Sequence, residues 1–228
     1  ADRVGAATRL VNAPDMLRWN TDKAYLRDLA AAGLPVVDTV WLEPGDEVVL
    51  PAQGEYVVKP AVSAGSKDTN RYLAAEHGDR AARHARELLA AGRAVMVQPY
   101  LPAVDTYGET ALLFFAGEFS HAVRKGPMLQ PVMDFVAGPF QEERITPRVP
   151  SDAERDVAER VLDALRFDRH ALAYARVDLV PGVDSAPTLL ELELTEPSMF
   201  LVHDEAGGHR AADRFAAALA SLTEGAHP

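Results

Sequence analysis

Along this chain the apolar positions switch between a period of two and a period near 3.6, and the switches mark its elements. Asn20-Thr21-Asp22 offers side chains suited to a helix N-cap, Tyr25, Leu26, Leu29 and Ala30 form an apolar stripe behind it, and Gly33 is placed to end the helix. Pro35 to Leu42 is β-branched and apolar enough for a strand, and Glu55 to Val62 predicts another in which Lys59 interrupts a buried pattern. A loop follows at Ser63-Ala64-Gly65-Ser66. Asp79 to Leu89 predicts a helix closed near Gly92, and Ala94 to Leu101 a strand. Thr110 to Phe115 and Glu118 to Val123 alternate about Ala116-Gly117, the pattern of a hairpin.

From Gly126 to Pro150 periodicity is lost under five prolines and two glycines, so a long loop is expected there. Ser151-Asp152-Ala153-Glu154 is a capping box, and Val157, Val161, Leu162 and Leu165 give the helix after it a buried face. Ala171 to Val180 and Thr188 to Leu194 predict two strands across a Pro-Gly-containing turn, and a last helix runs from about Gly208 to Leu222. Internal repeats and low-complexity linkers are absent from the sequence.

Composition narrows the function classes. With 228 residues, 48% hydrophobic and 25% charged, the chain can bury one large core or two small ones. Its net charge of -11 argues against nucleic acid or an anionic membrane as partner, since both need a basic surface. A local basic pocket is still compatible with that balance. The lack of cysteine excludes disulfides, zinc-thiolate and iron–sulfur sites and a thiol nucleophile, and fits a reducing cytoplasm. No apolar stretch approaches the roughly 20 residues that span a bilayer, and the opening Ala-Asp-Arg-Val lacks the regions of a signal peptide. A cytoplasmic protein is the expectation.

Only Lys23, Lys59, Lys67 and Lys125 are lysines among 23 basic residues. Lysine kept against an arginine bias suggests places where a compact ammonium must meet phosphate oxygens. Lys59 ends a buried strand beside the Ser63–Ser66 loop, whose backbone N–H groups can cradle phosphate without the spacing of a Walker motif. Lys23 sits by a helix N-terminus, where the dipole prefers anions, a conflict that either a bound polyphosphate or full solvent exposure of the ammonium resolves. Gln98-Pro99-Tyr100-Leu101 leaves its strand as a hinge whose backbone can pair with an adenine edge, and continues to Asp105 and Glu109.

The strongest signal is acidic. Asp178 in Tyr174 to Val180, and Glu191 and Glu193 in Leu189 to Thr195, interrupt apolar strand patterns. If Val180 pairs with Thr188 or Leu189, Asp178 falls near Glu191 and Arg176 near Glu193 on one face. Carboxylates so gathered call for a cation, and magnesium suits oxygen donors; the alternative is a solvated face with an Arg–Glu cross-strand pair. Arg124-Lys125 closes the hairpin, where it can hold a phosphoryl group or a substrate carboxylate. Gly117-Glu118-Phe119-Ser120 is not a hydrolase nucleophile elbow, and the seven histidines show no convincing metal spacing.

Taken in order, Trp19-Asn-Thr-Asp-Lys23, Val57-Val-Lys-Pro60, Met96-Val-Gln-Pro99, Arg176-Val-Asp178 and Leu190-Glu-Leu-Glu-Leu-Thr-Glu-Pro197 resemble the ATP-grasp superfamily, nearest its glutathione-synthetase and RimK-like branch. The resemblance implies an α+β fold of two subdomains gripping ATP. It also implies two phosphate-contacting lysines in Lys23 and Lys59, an adenine hinge at Gln98 to Leu101, and magnesium ligands in Asp178, Glu191 and Glu193, with manganese as the alternative ion. Glu193 stands where the family's Glu-x-Asn motif usually has asparagine. The expected division is a remnant of an N-terminal substrate subdomain over 1–14, a small subdomain over 15–95 and a large one with the metal site over 96–228, the usual N-terminal α/β subdomain being mostly absent.

The implied activity is ADP-forming ligation of a carboxylate to nitrogen through an acyl phosphate, with Arg124, Lys125 or Arg176 neutralising the transferred phosphoryl group. The substrate class is a small amino-acid-like molecule, and a homodimer stays open. The motifs at the two ends are similar to those of actinobacterial ligases that include D-cycloserine-forming cyclo-ligases, which close O-ureido-D-serine in antibiotic biosynthesis. The rival readings are an intermolecular amino-acid or peptide ligase and a non-catalytic ATP-binding regulatory module, the latter favoured only by Glu193.

Overall fold

A computed structural model describes residues 1–127, 144–204 and 207–224. The chain opens on three short helices, α1 (Asp2–Gly5), α2 (Pro14–Thr21) and α3 (Tyr25–Ala31), before β1 (Val40–Leu42), β2 (Glu55–Pro60), β3 (Asn70–Leu73), α4 (Ala74–Ala90) and β4 (Val95–Pro99). After α5 (Ala103–Tyr107) come β5 (Glu109–Phe115), β6 (Glu118–Lys125), β7 (Ile145–Arg148), α6 (Asp152–Asp163), β8 (Ala175–Pro181), β9 (Pro187–Glu193) and α7 (His209–Glu224). Two antiparallel sheets result, ordered β1-β4-β2-β3 and β7-β6-β5-β8-β9.

Each sheet has one apolar face buried under helices. Tyr56, Val58, Tyr72, Val95 and Val97 of the four-stranded sheet pack on Ala81, Ala85, Leu88 and Leu89 of α4. Leu112, Phe114, Val177, Leu179 and Leu192 of the five-stranded sheet pack on Val157, Val161 and Leu162 of α6. Met16, Tyr25, Leu26 and Leu29 of α2 and α3 join that second core, although they precede the first sheet in sequence. The opposite face of the five-stranded sheet carries the polar residues of the site. Its far end is covered by α7, where the Phe115 and Phe215 rings lie 4.9 Å apart.

The hairpin turns at Ala116 (φ 47°) and Gly117 (φ 79°), a left-handed pair in which a Cβ at Gly117 would meet the Arg169 carbonyl. The capping box at Ser151 and Glu154 forms in both directions. Other expectations are corrected. Asn20 caps no helix, because its buried side chain is committed to β9 and the cap of α3 is Ala24. The strand expected over Pro35 to Leu42 shortens to β1, with Val36 making only a bridge to Leu189. β3 and α5 form in stretches to which the sequence assigned no element, and α4 begins at Ala74 rather than Asp79. Ile145–Arg148 of the expected loop is a strand, since its backbone completes the edge of β6; 128–143 lies outside the described residues.

Candidate active site

Cross-strand register builds the site in rows. His121, Leu113, Arg176 and Glu193 oppose one another across β6, β5, β8 and β9. The next row is Val123, Ala111, Asp178 and Glu191, and Glu109 opposes Lys125 beyond it. Paired residues share a face, so four carboxylates, a guanidinium and an ammonium are gathered on one surface by alternation alone. The pairing of Asp178 with Glu191 and Arg176 with Glu193 is as the sequence predicts.

Each acid in this surface is met by a base. Arg176 Nε and Nη2 donate to the two oxygens of Asp178 at 2.8 and 2.9 Å, and Arg176 also pairs with Glu193. Lys125 Nζ bridges Glu109 at 2.8 Å and Asp178 at 2.9 Å. Lys23 Nζ pairs with Glu191 at 3.0 Å and donates to the Ser63 carbonyl at 3.0 Å. That bond ties the predicted phosphate loop to the carboxylate face. Within the loop Gly65 and Ser66 adopt successive left-handed conformations, φ 59° and 56°.

Lys59 is different. It is buried on β2, and among the described residues its ammonium has no hydrogen-bond or ion-pair partner. Burial depresses its pKa, with Glu191 pulling it back up and Lys23 pushing it further down. Burial by itself would raise the Asp178 carboxyl, but Arg176 and Lys125 outweigh it and hold the group at about 2. Glu193 goes the other way, pushed up to about 7 by burial despite Arg176, with Asp178 and Glu191 adding to the rise. The two results fit one picture: Arg176 is already committed to Asp178, so its pairing with Glu193 does not offset that acid's desolvation. Among the described residues no three His, Asp or Glu side chains converge into a preformed metal cluster, because lysine and arginine stand between the acids. The oxygen-only donor set nonetheless suits a hard divalent ion that joins with phosphate oxygens.

The hinge residues divide. The Gln98 side chain donates to Thr39 Oγ1 at 2.9 Å, and a cavity of about 310 Å³ opens beside it, lined by Thr39, Glu55, Gln98 and Pro99 among others. Tyr100 N–H donates to the Glu55 carbonyl, its ring lies under the Arg71 guanidinium at 3.4 Å, and its hydroxyl donates to Asp105. Asp105 is therefore joined to Arg71 and Tyr100 rather than to the acids around Lys125, whereas Glu109 is among them. Arg124 is not brought to this surface. Neighbouring strand residues face opposite ways, and its guanidinium donates to the Thr106 and Tyr107 carbonyls at the end of α5.

Sequence reasoning missed what holds β9. As an edge strand it would expose backbone groups, and side chains seal it instead. Asn20 receives the Leu194 N–H and donates to the Leu192 carbonyl, both at 2.7 Å, and the Tyr25 hydroxyl bonds both backbone groups of Leu192. Asn12 does the same for Ala173, Tyr174 and Leu194. A buried asparagine has no periodic signature; the sequence marked Asn20 only as a helix cap and as part of the Trp19–Lys23 segment.

Two antiparallel sheets, one bearing Lys59 and a phosphate-type loop and the other an acidic face with paired lysines, make the architecture of an ATP-grasp ligase. No protein-family model matches the chain. It belongs to the ATP-grasp ligase family nonetheless: it is 41% identical over 235 residues to the cycloserine biosynthesis protein DcsG of Streptomyces lavendulae, covering 96% of this chain and 75% of that protein. The crystal structure of D-cycloserine synthetase DcsG superposes with a TM-score of 0.80 at 39% identity, over 96% of this chain and 76% of the other. D-alanine–D-alanine ligase from Bacillus anthracis complexed with ATP (TM-score 0.59, 14% identity, 91% and 68% covered) shares the fold. So does the ATP-grasp ligase PsnB complexed with minimal precursor, Mg and ADP (TM-score 0.60, 22% identity, 96% and 64% covered). The protein is an ATP-dependent ligase that forms carbon–nitrogen bonds.

Proposed function

We propose that this ligase is ADP-forming, activates the carboxylate of an amino-acid-like substrate as an acyl phosphate, and closes O-ureido-D-serine into D-cycloserine. The observation that carries the ligation chemistry is the buried surface of Lys23, Lys59, Lys125 and Arg176 against Glu109, Asp178, Glu191 and Glu193. The 41% identity to DcsG supports the substrate.

In this reading Lys23, Lys59 and the backbone of Ser63, Ala64, Gly65 and Ser66 bind the ATP phosphates, and the Gln98 to Leu101 backbone takes the adenine. Asp178, Glu191 and Glu193 would hold magnesium, which would supply charge to neutralise the phosphate oxygens. A substrate carboxylate oxygen attacks the γ-phosphorus as the bond to the ADP oxygen breaks. The ureido nitrogen next to the substrate's oxygen then attacks the acyl carbon, phosphate leaves and that nitrogen gives up a proton; water then cleaves the carbamoyl group still on the ring nitrogen, which departs as carbamate and breaks down to carbon dioxide and ammonia. Arg176 and Lys125 stabilise the negative charge that develops at the transferred group. No nucleophile is asked of the protein.

ADP release with magnesium and O-ureido-D-serine, with product mass read beside it, tests the proposal. A cyclic product formed with one ADP per turnover, and lost in Asp178→Asn, is the expected result. A linear product would replace cyclisation by intermolecular ligation, and tight ATP binding without turnover on O-ureido-D-serine or a panel of amino acids would favour a regulatory module.

A further inference from the structure

The proposed chemistry leaves one buried polar chain unused, on the same sheet face. His121 occupies the row of Leu113, Arg176 and Glu193, so its imidazole stands two strands from the guanidinium of the site. The bulge opposite Leu113 and Phe114 leaves Ser120 out of the ladder, and its hydroxyl meets His121 Nδ1 at 2.9 Å. His121 Nε2 lies 3.0 Å from the Met199 carbonyl, and Arg214 Nε of α7 lies 2.9 Å from Ser120 Oγ. A carbonyl only accepts, so Nε2 carries a proton; in the neutral imidazole Nδ1 then accepts from the Ser120 hydroxyl, which accepts in turn from Arg214. Burial lowers the imidazole pKa and favours that neutral tautomer.

The chain of bonds ends where the backbone is strained. Phe200 has φ 46°, a left-handed conformation that a bulky side chain rarely adopts and that persists only where its surroundings over-determine it. His121 holds the carbonyl before it, and the His203 N–H donates to its own carbonyl at 2.9 Å. The outcome bears on the site: the Arg176 guanidinium lies 5.5 Å from the Phe200 ring centre, and Arg176 also donates to the Ser198 carbonyl at 3.4 Å.

We propose that His121 is a positioning residue: its bond to Met199 holds the Ser198–Phe200 segment in its strained shape, and so sets the Phe200 ring beside Arg176 as a wall that selects the amino-acid-like substrate. The inference rests on the role assigned above to Arg176. What counts is a donor at the place of Nε2. His121→Gln keeps an N–H at that reach, and His121→Leu removes it.

Steady-state ADP release, with O-ureido-D-serine and ATP varied in turn, separates positioning from general damage. His121→Leu is expected to raise KM for O-ureido-D-serine about tenfold, the scale of a displaced binding group, while KM for ATP stays within about twofold; His121→Gln recovers most of the loss. Unchanged kinetics, equal rises in both KM values, or a glutamine variant as impaired as the leucine one overturns the assignment. Hydrogen exchange across 198–203 is read in the same proteins, with faster exchange expected in His121→Leu only. Should the parent protein not turn over O-ureido-D-serine, the substrate reading fails by itself, and unchanged exchange in His121→Leu would still overturn the positioning role.

Discussion

Lys59 and Lys125 are both buried lysines on the site, yet removing them has opposite consequences. Lys125 holds Asp178 and Glu109, so Lys125→Met leaves two buried or half-buried carboxylates short of a cation and is expected to cost about 3–5 kcal/mol in urea unfolding. Lys59 has no partner among the described residues to leave behind. Lys59→Met is expected to keep or raise the melting temperature while ATP affinity, read by calorimetry, falls at least about tenfold, the loss of one charge-assisted contact. Glu193 supplies a pH signature. Its folded pKa of about 7 lies above the ordinary carboxylate value, so the folded state favours the protonated form and loses stability as pH rises toward 7. In chelator-treated protein Glu193→Gln is therefore expected to melt above the parent at pH 8, with the gap closing toward pH 5. A gap independent of pH would sink that account.

Among the elements, β9 carries the two glutamates and depends most on side chains from elsewhere. Asn20→Ala strips the Leu194 N–H and one bond of the Leu192 carbonyl of their partners, and each buried group left unsatisfied costs about 1–3 kcal/mol. Lower stability in urea, with amide exchange quickened in 192–195 and not in β5, is the expected result. The hairpin, the capping box of α6 and the β8–β9 pairing were legible because each has a local cause: a turn dipeptide, a four-residue cap, alternation across a short connection. β3, α5 and β7 were not. Asn70–Leu73 and Ile145–Arg148 are strands because β2 and β6 offer edges, a long-range event that four-residue stretches do not announce.

For the whole molecule, ligand binding and folding are linked. ATP with magnesium at a hundredfold excess over its dissociation constant is expected to stabilise the folded state by about 2.7 kcal/mol, and a chelator to remove most of the gain. Melting curves with ATP, with magnesium and with both check this; an equal shift from ATP alone would dissociate the metal from the site.

The sequence by itself determined the α+β elements with local signals, and the identities of the lysines and acids that meet at the site. Period-two geometry was enough to put Asp178, Glu191, Glu193 and Arg176 on one face, since alternation along a strand needs no knowledge of the rest of the chain. Only the tertiary structure decided which charges pair. Lys125 reaches Asp178 across β5, Lys23 arrives from 168 residues away in sequence to meet Glu191, and Arg124, one residue from Lys125, faces the other side. The folded surroundings then set their protonation, Arg176 and Lys125 holding Asp178 down against its burial and burial raising Glu193, because desolvation and partner distance are properties of the folded neighbourhood and not of residue type.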